Sequence, residues 1–72
     1  MNKSHEAVYS VRLKHDIETR TAIFKTFNSD DEISVSLIQR RCSKGYFTST
    51  RVYDNLIEDG LIYHKDGKFY LK

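Results

Sequence analysis

Three helices followed by a C-terminal β-hairpin wing, the α+β winged helix-turn-helix, are what this 72-residue chain is expected to form. Apolar residues recur at helical spacing between Ile17 and Phe27 and again on both sides of Gly45. Asp66-Gly67 then divides two short apolar strands, a strong signal for a two-residue hairpin. Helix, helix, turn, helix, hairpin is the winged-helix order. Residues 1–72 make one domain, with 36–59 as the helix-turn-helix and 61–71 as the wing.

Residues 1–15 form an N-terminal extension of open character. Ala7, Tyr9, Val11 and Leu13 alternate as in a strand, while Glu6 to Leu13 equally suits a helix. Asp16 is the candidate N-cap of the first regular helix, in which Ile17, Arg20, Phe24 and Phe27 recur with Ile23 beside them. That helix is expected to end near Asn28, and Asn28 to Glu32 is a polar, acidic connection. Ile33 and Val35 are candidates for a brief strand.

For the second helix two caps compete. Ser36 with Gln39 fits a capping box, and Ser34 fits a cap with Ile33 stapled to Ile38. Either register puts Ile38 and Cys42 one turn apart on the buried side. Gly45 is expected to supply the sharp bend between helices. From Phe47 to Asp59 the helical projection gathers Ser49, Val52, Tyr53 and Leu56 on one side, and Phe47, Thr50, Arg51, Asp54 and Glu58 on the other. Gly60 ends this helix as its C′ residue, and the wing strands are Leu61–His64 and Lys68–Leu71.

Charge is unevenly placed. Residues 1–33 carry five cations and six acids, residues 34–72 seven and four, so that the net +2 divides into −1 and +3. No acid occurs between Glu32 and Asp54, while Arg40, Arg41, Lys44 and Arg51 all fall in that stretch. A basic helix-turn-helix points to a phosphate backbone as partner. Cys42 is the single cysteine and has no partner for an internal disulfide. With no leader-like start and no membrane-length apolar run, a cytoplasmic protein is expected.

Ser34-Val35-Ser36-Leu37-Ile38-Gln39-Arg40-Arg41, Gly45-Tyr46, Arg51, Asp54 and Gly60-Leu61-Ile62 together resemble the gamma domain of FtsK-type DNA translocases. The similarity spans about 29 residues. It implies a stand-alone winged helix that reads a short G-rich sequence in duplex DNA and contacts a tyrosine recombinase. The family's Asn-Arg-Ala-Ala after Gly-Tyr is replaced by Phe47, Thr48, Ser49 and Thr50, so the family's target sequence does not carry over. Cys42 stands where the family has a large aromatic. There is no phosphate-binding G-x-x-x-x-G-K-[ST] loop, so the resemblance points to a regulator or accessory factor of a phage or mobile element, without the motor.

In a helix-turn-helix the second helix enters the major groove with its N-terminal residues against base edges. Phe47, Thr48, Thr50 and Arg51 are the expected base-reading residues, Arg51 with the fork that matches guanine O6 and N7. The competing partners for Arg51 are Asp54 and Asn55 on its own helix. Ser36, Gln39, Arg40, Arg41, Lys44 and the wing residues Lys65 and Lys68 are expected on the DNA backbone. Six phosphate contacts would give log K a salt slope of about −5. Tyr46 is expected in the core, with Phe47 outward or folded back onto it.

His5, His15 and His64 are scattered without zinc-ligand spacing, and Cys42 lies on an apolar stripe. Neither catalysis nor a metal or cofactor is expected. The competing function is a protein-interaction module that docks on a recombinase, polymerase or nuclease through Phe47 and the N-terminal segment. Tyr9, Val11 and Leu13 are the candidate surface for a homodimer. No membrane partner is expected.

Overall fold

A computed structural model describes the backbone of residues 3–72 and the side chains of residues 12–72. It contains α1 (Lys3–Thr26), α2 (Val35–Cys42), α3 (Tyr46–Glu58), β1 (Ile62–Lys65) and β2 (Lys68–Leu71). Three helices and an antiparallel hairpin in this order are the winged-helix layout.

The first helix starts at Lys3 and passes through Asp16, so Asp16 is no cap. At 24 residues α1 is about 36 Å long. Its buried stripe is Thr19 and Ile23, continued by Phe27 just past its end, with Asp16 half-buried on the same face. Ile17 and Phe24, expected in the core, are 57% and 47% exposed. The reason is rotation: Asp16, Thr19, Ile23 and Phe27 fall within about 80° of one another at 100° per residue. Ile17 and Phe24 lie on the neighbouring face. The Tyr9 and Val11 side chains lie outside the described residues; Leu13 is exposed.

Of the two competing caps for α2, Ser34 is the one used. Its backbone is extended, and its Oγ accepts from the Leu37 N–H at 3.1 Å. This satisfies one orphan donor of the first turn and overturns the Ser36–Gln39 capping box. Val35 consequently begins the helix and makes no strand. The edge pairing is instead Glu32 opposite Tyr70, supported by Ile33 N–H to Phe69 O at 2.9 Å and Leu71 N–H to Asp31 O at 2.9 Å. Thus the α1–α2 connection lies along β2 and shields one edge of the hairpin.

The bend between α2 and α3 is made by Ser43, at φ 55° and ψ 47°. Gly45 has an ordinary φ of −72° and serves as the N-cap of α3. The expected role of Gly45 as the source of the bend therefore passes to Ser43. At the far end of α3, Gly60 has φ +72°, with Leu61 N–H bonded to Leu56 O and Gly60 N–H to Ile57 O. Those two bonds make a Schellman motif. Asp66 (φ 53°) and Gly67 (φ 81°) give the hairpin a type I′ turn. Ile62, Tyr63, His64 and Lys65 face Leu71, Tyr70, Phe69 and Lys68 across it.

Ile23, Phe27, Ile33, Ile38, Val52, Leu56 and Leu71 form the core, one or two from each helix, the connection and the wing. Leu37, Cys42, Tyr53, Leu61 and Ile62 pack around them. Among the described residues no helix is long and apolar enough to cross a membrane.

Candidate nucleic-acid interface

The proposed surface is built from α2, the Ser43–Gly45 turn, the first turns of α3 and the hairpin tip. Ser49, Val52 and Leu56 face the core, so the opposite side of α3 turns outward. Phe47 is 79% exposed, and Tyr46, expected in the core, is 58% exposed. The two rings meet edge to face with centroids 5.6 Å apart. Tyr46 begins the helix one residue after its cap and lies about 90° around it from the Ser49, Val52 and Leu56 core face. Thr50 is half-buried, and its hydroxyl donates to Tyr46 O at 2.9 Å.

Arg51 departs furthest from expectation. It is paired with Asp16 of α1, 35 residues away, and neither Asp54 nor Asn55 is its partner. Nη2 donates to Oδ1 at 2.8 Å, and Nε lies 3.2 Å from each carboxylate oxygen. Nη2 also makes a long 3.5 Å contact with the Thr48 hydroxyl. The hydrogen bond to Asp16 raises the guanidinium pKa above its already high ordinary value. Arg51 is therefore not a free cation on an open ridge. The pair borders a groove of about 330 Å³ lined by Arg12, Leu13, Asp16, Arg51 and Asn55.

The other cations divide into two groups. Arg40 is exposed, Lys44 is half-buried in the turn, and Lys65 is exposed at the wing tip; among the described residues none has a carboxylate within salt-bridge distance. Arg41 is exposed yet docked, its Nη2 donating to Thr26 O at 3.1 Å and its guanidinium lying 4.3 Å over the Phe27 ring. Lys68 has its ammonium 3.8 Å from Glu32. Both are less available to phosphate than an unpaired surface cation, Arg41 through a fixed geometry and Lys68 through partial neutralisation. Ser36 is exposed in the first turn of α2. Gln39 is half-buried, and its carbonyl accepts from the Ser43 and Lys44 N–H groups.

Asp54 and Glu58 are exposed further along α3, and Asp59 is bridged to Arg20 at 2.7 Å. The outward face of α3 thus changes from aromatic and hydroxyl groups at its start to acids at its end. Two participants escaped the sequence reading: Asp16, taken for a cap, and Arg12, which lines the groove. The available signal was the Asp16-Thr19-Ile23-Phe27 spacing, obscured because half of that stripe is polar. Among the described residues no group of three or more His, Cys, Asp or Glu is gathered to hold a metal ion.

No protein-family model, no curated protein and no solved structure matches the chain.

Proposed function

We propose that this protein is a sequence-specific double-stranded DNA-binding protein that inserts the start of α3 into the major groove and rests its wing on flanking backbone. The observation that carries this reading is the run of basic groups, Arg40 and Lys44, with no carboxylate partner among the described residues, leading into an α3 N-terminus whose outward side holds no acid before Asp54. Helix-turn-helix proteins dock through such an end, and phosphate attraction supplies most of their non-specific affinity. Arg40 and Arg41 of α2, with Ser36 and Gln39 on that helix, Lys44 of the turn and Lys65 of the wing are the backbone contacts. Phe47, Thr48, Thr50 and Arg51 are the base-reading set. The similarity of the Gln39-Arg40-Arg41, Gly45-Tyr46 and Arg51 pattern to the gamma domain of FtsK-type translocases supports a regulator or accessory factor of a phage or mobile element, acting in the cytoplasm.

Selection from randomised duplexes at two salt concentrations tests the proposal. A recovered consensus containing at least one guanine is expected. Recovery of an unenriched pool at both concentrations would reject sequence-specific binding.

A second reading is favoured by one specific observation, the exposure of the Tyr46–Phe47 aromatic pair. Exposed aromatics are the usual anchors of protein interfaces. On this reading the domain docks on a recombinase, polymerase or nuclease. Loss of activity in Phe47→Ala together with full activity in Arg41→Ala and Arg51→Ala would select it.

A further inference from the structure

We infer that Asp16 is a positioning residue for sequence discrimination: it grips one edge of the Arg51 guanidinium and leaves the other edge open to pair with a guanine. The inference rests on the DNA-binding reading above and adds to it a residue of α1 that touches no DNA.

A guanidinium presents two hydrogen-bonding edges, one formed by Nε and one Nη, the other by the two Nη groups. Asp16 occupies the first, with Nε 3.2 Å from each carboxylate oxygen and Nη2 2.8 Å from Oδ1. On the second, Nη1 has no hydrogen-bond partner among the described residues, and Nη2 reaches only the Thr48 hydroxyl at 3.5 Å. Bidentate pairing with guanine O6 and N7 needs two coplanar donors of this kind. The carboxylate is also the more enclosed partner, its side chain 18% exposed against 39% for Arg51. The open edge therefore belongs to the more exposed member of the pair.

Two consequences raise specificity. A gripped arginine has lost its rotamer freedom before DNA arrives, so less is lost on binding the correct base. A neutralised arginine is also a poorer ligand for phosphates at random sites, which lowers competing non-specific affinity. Asp16 and Arg51 come from α1 and α3, so the fold itself sets the angle of the fork. Without Asp16, the side chain would sweep the groove bordered by Arg12, Leu13 and Asn55.

The test uses the full chain as wild type, Asp16→Ala, Asp16→Asn, Arg51→Ala and the Asp16→Ala/Arg51→Ala double variant. Each is titrated by fluorescence anisotropy against the selected duplex, its single-guanine substitutions and an unrelated duplex. Asp16→Asn keeps the shape of the side chain and guards against loss of fold, which circular dichroism checks. Wild type is expected to prefer guanine at one position by about tenfold, and Arg51→Ala to abolish that preference. Asp16→Ala and Asp16→Asn are expected to reduce it to about twofold or less while unrelated DNA binds as well or better. In the Arg51→Ala background, Asp16→Ala is expected to change no base preference.

Retention of the full guanine preference in folded Asp16→Ala and Asp16→Asn would overturn the positioning role and leave the DNA reading standing. An equal loss on every duplex would also overturn it, because a purely structural role predicts that pattern. Failure of wild type to bind any duplex would remove the DNA reading and this role together.

Discussion

The Arg41 guanidinium lies 4.3 Å above the Phe27 ring while its Nη2 donates to the carbonyl of Thr26, the last residue of α1. One α2 side chain thus satisfies an orphan carbonyl at a helix C-terminus and covers a core aromatic. Arg41→Ala is expected to destabilise the domain by about 1–2 kcal/mol in urea unfolding. Arg41→Lys is expected to recover less than half, since a point ammonium cannot stack and reach the carbonyl together.

Among the described residues three non-glycines adopt positive φ, Asp30 (70°), Ser43 (55°) and Asp66 (53°), and Ser43 is the one without the aspartate side chain that tolerates this region best. Ser43→Gly is expected to stabilise by about 0.5–1 kcal/mol, because glycine adopts that conformation without a Cβ clash. Gly45 needs no such freedom: its φ is −72°, and an added Cβ would meet nothing within 4 Å. Gly45→Ser is expected to be tolerated and to gain about a few tenths of a kcal/mol as a side-chain cap. Denaturant midpoints for the two variants check both signs.

The Thr19 and Ser49 hydroxyls are fully buried and have no hydrogen-bond partner among the described residues. An unsatisfied buried hydroxyl costs free energy that an apolar replacement of similar shape recovers. Thr19→Val and Ser49→Ala are each expected to raise stability by about 1 kcal/mol, read from thermal and urea unfolding. A loss in either would mean that the hydroxyl is satisfied in solution.

How far the sequence could be read depended on whether each feature was local. The Asp66-Gly67 turn, the Gly60 stop and the α3 core face of Ser49, Val52 and Leu56 were all legible, because turn chemistry and a 3.6-residue period act within a few positions. The Asp16–Arg51 pair was not, since it joins residues 35 apart and appears only once α1 packs on α3. The α1 face was misjudged for a related reason. A stripe of Asp16, Thr19, Ile23 and Phe27 carries less hydrophobic signal than the exposed Ile17 and Phe24 beside it. Ser34 and Ser36 both satisfy cap chemistry, and only the start of the helix at Val35 decides between them.

The Tyr63 phenol donates to Asp30 Oδ1 at 2.8 Å, tying the wing to the α1–α2 connection. This hydrogen bond, reinforced by desolvation and by the charge of Asp30, raises the Tyr63 pKa above its ordinary value of 10. The neutral phenol is the stabilised form in the folded state, so its contribution is fully present below pH about 10 and is lost as pH rises through the raised folded value. The stability difference between wild type and Tyr63→Phe is therefore expected to be constant from neutral pH up to about 10 and to shrink above it. Alkaline absorbance titration of Asp30→Asn is expected to show Tyr63 ionising at lower pH than in wild type.

Salt-dependent titration of a duplex against wild type and an Arg40→Ala/Lys44→Ala/Lys65→Ala variant tests the proposed DNA-binding surface most directly. Four backbone cations, Arg41 included, predict a wild-type slope of log K against log salt of about −3 to −4. Removing three of them should bring it to about −1. Absence of binding at low salt, or an unchanged slope in the triple variant, would contradict the assignment of this surface to DNA.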